Sequence, residues 1–196
     1  MQSQSIKNLI EQFKKLPTVG PKTAQRFVYF LLKNPDIELE KFESAFKEAR
    51  ENIKLCKICF NACESEICPI CSNPARDRAT ICVVEEILDA LSIENSRGYN
   101  GVYHILGQTF DPRISKLEDL RIKELVERIK KENAKEIILA CSPSSEGEVL
   151  ALYLKKFLDP LEIKITRLGR GLPTGADIEY ADPETIKGAL LGRQDI

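Results

Sequence analysis

Apolar residues recur at helical spacing in the first quarter of the chain and in dense, strand-like runs through the second half. Ile6, Leu9, Ile10 and Phe13 predict an amphipathic helix, with Ser3 or Ser5 as its N-cap. It should stop at Leu16-Pro17, because the residue before a proline is driven out of the α region. Ala24, Phe27, Val28 and Leu31 form the stripe of a second helix, opened by Gly20 in a tight turn and Pro21 in the first helical turn. Leu39, Phe42, Phe46, Ala49 and Ile53 mark a third.

Past residue 78 the pattern changes. Thr80 to Val84 alternates little, as in a strand buried on both faces. A helix near residues 86–93 and a strand at Val102 to Leu106 follow. Leu117, Leu120, Leu125, Val126 and Ile129 define the next helix. A strand at Ile137 to Ala140, a helix from Glu146 to Leu158 and a strand from Ile163 to Leu168 complete the run. Strands alternating with helices predict a small parallel α/β sheet with right-handed crossovers. Ligand chemistry in such a sheet belongs at the carboxyl ends of the strands, which singles out Glu85 and the turn Ser142 to Glu148.

Between these regions lie two Cys-x-x-Cys pairs, Cys56/Cys59 and Cys68/Cys71, separated by eight residues. Each pair can bend two sulfurs toward one point, and the short spacer lets the pairs meet around a tetrahedral zinc ion. Four thiolates fill the coordination shell and leave no place for a substrate water, so the metal is expected to be structural, one per chain. Disulfides and a chance cluster of buried thiols are the competing readings. Cys63, between the pairs, is a rival ligand, while Cys82 and Cys141 sit in apolar runs and read as core residues. The four cysteines are expected to act as a joint between the helical head and the sheet.

Composition is that of a soluble globular chain, 43% hydrophobic and 30% charged over 196 residues. The start carries no apolar signal-peptide core and no run is long enough to span a bilayer, so a reducing, cytoplasmic setting is expected. A net charge of −1 hides a basic head, because residues 1–34 hold six cations against the single acid Glu11. Two of these, Lys22 and Arg26, stack four apart beside the start of the second helix, where free backbone N–H groups and partial positive charge suit a phosphate.

The stretch Leu16-Pro17-Thr18-Val19-Gly20-Pro21-Lys22 resembles a helix-hairpin-helix element, which holds nucleic acid by its phosphates. An ordinary packing hairpin is the plainer alternative. The usual glycine two residues before Gly20 is Thr18 here, which resists a positive φ, so an altered turn or a less close approach to phosphate is expected. Elsewhere catalytic signals are thin. His104, the only histidine, lies mid-strand in an apolar run and reads as a satisfied core residue; no phosphate-binding P-loop exists. The Gly169, Gly171 and Gly175 loop reads as a phosphate contact, a plain connection or a subunit contact.

The run Ile137 to Glu148 resembles the Toprim signature of topoisomerases and primases. In active members an Asp-x-Asp pair after this strand and an acid on the first strand hold Mg²⁺, a hard cation that needs several oxygen ligands. Here Ser142 and Ser144 occupy the Asp positions, and Glu85, Glu146 and Glu148 remain. Taken in order, the hairpin, the four cysteines, the sheet with Ile81 to Glu85 and Tyr103 to Gly107, and the tail Arg170 to Asp182 resemble the bacterial RecR family of recombination mediators, over Leu16 to Arg193.

That resemblance implies an α+β chain in several parts: a helix-hairpin-helix region (1–54), a four-cysteine zinc finger (55–78), a Toprim domain with a parallel sheet (79–170) and a short C-terminal region (171–196) making subunit contacts. It implies a non-catalytic DNA-binding scaffold for recombinational repair that acts with RecO and RecF to load a recombinase on single-stranded DNA. It also implies a homo-oligomer, dimer or tetrameric ring. Lys22 and Arg26 match DNA-contacting positions and Glu146 a position that contacts RecO. An Mg²⁺-dependent Toprim nuclease or primase using Glu85, Glu146 and Glu148 is the alternative, and a zinc-ribbon module without DNA affinity a third.

Overall fold

Ser3 starts the first helix as expected, its hydroxyl accepting the amide of Ile6. The computed structural model describes residues 3–34, 38–113 and 116–193, divided between a unit of residues 1–52 and a unit of residues 53–196. In the first unit, α1 (Gln4–Phe13) and α2 (Pro21–Lys33) pack as a hairpin, and α3 (Leu39–Asn52) follows. Only Ala24 and Val28 of the three helices are buried, with Phe13 set edge-on to Phe27 at 5.8 Å between centroids. Phe42 and Phe46 of α3 meet edge to face at 5.1 Å between centroids but remain exposed.

The second unit begins with the cysteine knot. A two-residue ladder of β1 (Lys54–Leu55) and β2 (Ala62–Cys63) and a short α4 (Pro69–Ser72) frame it. Then come β3 (Asp77–Val84), α5 (Ile87–Asn95), β4 (Gly101–Ile105), α6 (Ile122–Glu132), β5 (Glu136–Leu139), α7 (Ser145–Leu158), β6 (Lys164–Arg167) and α8 (Pro183–Leu191). The sheet is wholly parallel in the order β4-β3-β5-β6. Because side chains alternate, Ile81, Val83, Ile137 and Leu139 share a core with Leu125 and Ile129 of α6 and Leu150, Leu154 and Leu158 of α7. Each fully buried leucine or isoleucine contributes about 1.5–3 kcal/mol of transfer free energy. On the other side Cys82, Val84, Tyr103 and Ile105 meet Ala90 of α5 together with Phe60 and Ile70 of the knot.

The knot is therefore built onto the sheet. Ile105 donates its amide to the Cys59 carbonyl at 3.0 Å, continuing the ladder past the edge strand β4. Arg76, in the segment leaving the knot, pairs with Glu94 of α5 and donates to the carbonyls of Tyr99 and Gly101.

Two expectations are corrected. The helix expected through Leu117 and Leu120 is a 3-10 turn, Leu117–Asp119, and α6 begins only at Ile122. Arg121 interrupts it: its backbone is non-helical, its amide is drawn to the Leu106 carbonyl at 3.2 Å, and its guanidinium stacks on Phe60 at 4.6 Å. The side chain of Leu117 lies outside the described residues. The second correction concerns Thr18. It adopts φ +65°, the conformation glycine normally supplies.

Candidate nucleic-acid interface and metal centre

Pro17 and Thr18 occupy the corner of a turn closed by the Val19 amide on the Leu16 carbonyl at 3.2 Å. A proline followed by a residue of positive φ is the arrangement of a type II turn. It delivers the chain to Gly20 in extended conformation (φ −79°, ψ 171°), the N-cap of α2. No side chain caps this helix, and Pro21 sits in its first turn. The first-turn N–H groups of Lys22 and Thr23 thus lack a side-chain cap, at the positive end of the helix dipole. A Cβ placed on Gly20 would meet nothing within 4 Å, so the space beside Gly20 at the helix start is open. Lys22 and Arg26 are both exposed one turn apart, beside that opening. The arrangement can receive a phosphate through backbone N–H groups and flanking cations without contacting a base.

The four knot cysteines converge. Cys56, Cys59, Cys68 and Cys71 are all buried, and their sulfurs lie within 4.8 Å of one another. A tetrahedral zinc with bonds of about 2.3 Å needs sulfurs about 3.8 Å apart, and the Cys59–Cys68 pair stands at 3.5 Å. Amides of Ile58 and Cys68 point at the Cys56 sulfur and that of Cys71 at the Cys68 sulfur, as thiolate ligands require. The neighbouring Cys68 sulfur and burial push the Cys59 thiol well up, while hydrogen bonds from Cys59 and Cys71 hold Cys68 down. Sulfurs this close cannot all ionise without a cation among them. The group is a four-cysteine metal site. Cys63 lies outside it, half-buried, donating its S–H to the Ser65 carbonyl at 3.0 Å.

At the carboxyl ends of the strands the three acids part company. Glu85, at the end of β3, is 2% exposed, and its two carboxylate oxygens accept the amides of Ser142 and Phe110, each at 3.0 Å. Glu148 is engaged by Arg167 and Arg170. Glu146 is partly exposed in the first turn of α7, which Ser144 caps through the Gly147 amide at 3.1 Å. Among the described residues only the four cysteines form a metal-competent group. The glycine loop packs against α8, where a Cβ on Gly188 would meet Arg170 at 3.0 Å.

His104, within β4, is fully buried but only half satisfied. Its Nε2 faces the Arg121 carbonyl at 2.8 Å, so that nitrogen carries the proton, and Nδ1 has no partner. Burial pulls its pKa down to about 4. Cys82 is a core thiol and Cys141 a half-buried one packed against the core, each pushed up to about 12 by burial.

Three families of known proteins match parts of the chain. The RecR helix-hairpin-helix family matches residues 6–50, the Toprim domain family residues 79–169 and the RecR C-terminal family residues 171–194. The chain is 46% identical over 193 residues to a protein named Recombination protein RecR from Bifidobacterium animalis subsp. lactis, covering 98% of this chain and 96% of that one. The chain belongs to the RecR family. A RecR of Bifidobacterium adolescentis is 45% identical over 193 residues, with the same two coverages. One from Bifidobacterium longum subsp. infantis is 45% identical over 192 residues, 97% of this chain and 96% of its own. This RecR-family chain is accordingly a recombination protein with a helix-hairpin-helix region, a four-cysteine metal site, and a Toprim domain on a four-stranded parallel sheet.

Proposed function

We propose that this RecR-family chain is a non-catalytic DNA-binding scaffold that acts with RecO and RecF to load a recombinase on single-stranded DNA. The observation that carries the proposal is the uncapped start of α2, open at Gly20 and flanked by Lys22 and Arg26. Such a site reads phosphate, not sequence, so single- and double-stranded DNA of any sequence are its ligands. Glu146, partly exposed on the Toprim face, is the contact for RecO. The acids an Mg²⁺ enzyme would need are spent elsewhere: Glu85 on two backbone amides and Glu148 on two arginines. A hard dication would be left with Glu146.

The metal is one structural zinc per chain, held by Cys56, Cys59, Cys68 and Cys71, whose four soft sulfurs suit it. A reducing cytoplasm keeps those thiolates available. The functional division runs as a DNA-binding region at 1–54, a zinc finger at 55–78, a Toprim domain at 79–170 and a subunit-contact region at 171–196. The exposed Phe42 and Phe46 of α3 and the exposed Ile178, Tyr180, Leu190 and Leu191 near the C-terminus support assembly into a homo-oligomer, dimer or ring.

Fluorescence anisotropy with unrelated DNA sequences, combined with a RecO pull-down, tests the whole. Equal affinity across sequences, and RecO capture lost in Glu146→Ala with DNA binding intact, is the expected pattern. Sequence preference, or Mg²⁺-dependent cleavage abolished by Glu85→Gln, would overturn it.

A further inference from the structure

We infer that Glu85 is the positioning residue of the face that carries Glu146: an anionic clamp that fastens two loops, remote in sequence, into one surface. Its two oxygens are divided between them. One accepts the amide of Phe110, 25 residues on, and the other the amide of Ser142, 57 residues on. Both bonds are 3.0 Å long, and the side chain is 2% exposed. A carboxylate is suited to this because both oxygens accept; an amide side chain would turn an NH₂ donor against one of the two N–H groups. A buried ionised group is tolerated only when its hydrogen-bonding capacity is used, and here the two backbone donors supply that.

Each loop is seated at its other side as well. Glu86 accepts the amide and hydroxyl of Thr109 at 3.2 and 2.6 Å, and Phe110 is buried in the main core. The turn after β5 is pressed against α7 so closely that a Cβ on Gly147 would stand 2.0 Å from the Ser142 carbonyl oxygen. Glu146 therefore projects from a turn with little freedom. The first loop continues to Arg113, which pairs with Asp111, and both Asp111 and the more distant Glu146 favour the Arg113 charge. The two loops thus present one charged surface, with Glu85 beneath it. In Toprim enzymes this acid holds metal; here the same carboxylate holds backbone.

The positioning role rests on the proposed partner contact at Glu146, while the clamp itself does not, and the experiment separates them. Amide hydrogen exchange on the full chain should show Phe110 and Ser142 protected relative to Ser145 in the same turn. Unprotected exchange at both in the unaltered chain overturns the clamp without recourse to any variant. In Glu85→Gln, exchange at these two amides should rise roughly 10- to 100-fold, the worth of a hydrogen bond to a charged group, while DNA affinity is unchanged. RecO affinity should fall in Glu85→Gln and in Glu146→Gln, the latter leaving exchange at Phe110 and Ser142 as it was. Loosened loops with RecO bound as before by Glu85→Gln, but not by Glu146→Gln, overturn the positioning role. RecO binding indifferent to both variants overturns the Glu146 contact and the positioning role with it, and the exchange data alone then decide the clamp.

Discussion

Replacing Gly20 with alanine should separate DNA binding from folding, in opposite directions. The backbone at Gly20 (φ −79°, ψ 171°) is open to any residue, and an added Cβ meets nothing within 4 Å. Glycine is thus not needed there for the fold. Alanine should raise the stability of the hairpin by about 0.4–1 kcal/mol, because it narrows the unfolded ensemble without straining the native one. A phosphate must come within about 3 Å of the Lys22 and Thr23 amides to bond, and the added methyl at the helix start is expected to crowd it. Losing one charge-assisted bond costs about 1.5–3 kcal/mol, which lowers affinity about tenfold or more. Thr18→Gly is the matched control. It removes a left-handed threonine worth about 1–2 kcal/mol of strain against about 0.5–1 kcal/mol of added chain freedom, and adds nothing in front of the donors. Denaturant unfolding and fluorescence anisotropy on 20-mer DNA read the two quantities. A Gly20→Ala chain that binds DNA as tightly as the parent would refute phosphate capture at the start of α2.

Two further outcomes follow from the second unit. Elemental analysis should find about one zinc per chain, and Cys56→Ser or strong chelation should unfold the knot and loosen β4, whose Ile105 amide bonds to Cys59; a metal-free chain with an unchanged melting curve would contradict this. His104 should make the fold acid-sensitive: its pKa is about 4 when folded against 6.5 unfolded, so its contribution is whole above pH 6.5 and is lost as pH falls toward 4. The loss is about 2 kcal/mol between about pH 7 and about pH 5, and His104→Gln should reduce the pH dependence by that amount; an unaltered dependence would place the acid sensitivity elsewhere.

The succession of strands and helices along the chain, the two cysteine pairs and the hairpin were all legible in the sequence, since each is written in local spacing: period 3.6, dense apolar runs, Cys-x-x-Cys, Pro-x-x-Gly-Pro. What could not be read depends on contacts between distant residues. Glu85 carries the same letter whether it binds metal or backbone, and its donors lie 25 and 57 residues away. Arg121 breaks a periodic helix because Leu106 draws in its amide and Phe60 its guanidinium. Thr18 shows the same limit: propensity resists positive φ at a β-branched residue, at a cost of about 1–2 kcal/mol, yet the turn between the packed α1 and α2 holds it there. The knot, expected as a joint, is anchored to the sheet by Ile105, Phe60 and Arg76.

The central claim is that the hairpin grips DNA through phosphates by means of Lys22 and Arg26. Its most direct test is the salt dependence of DNA affinity for the parent chain and for Lys22→Ala/Arg26→Ala. The account predicts weaker binding to every sequence alike and a log–log salt slope shallower by about 2, one for each lost phosphate contact. A correctly folded double variant with the parent's affinity and slope would contradict it.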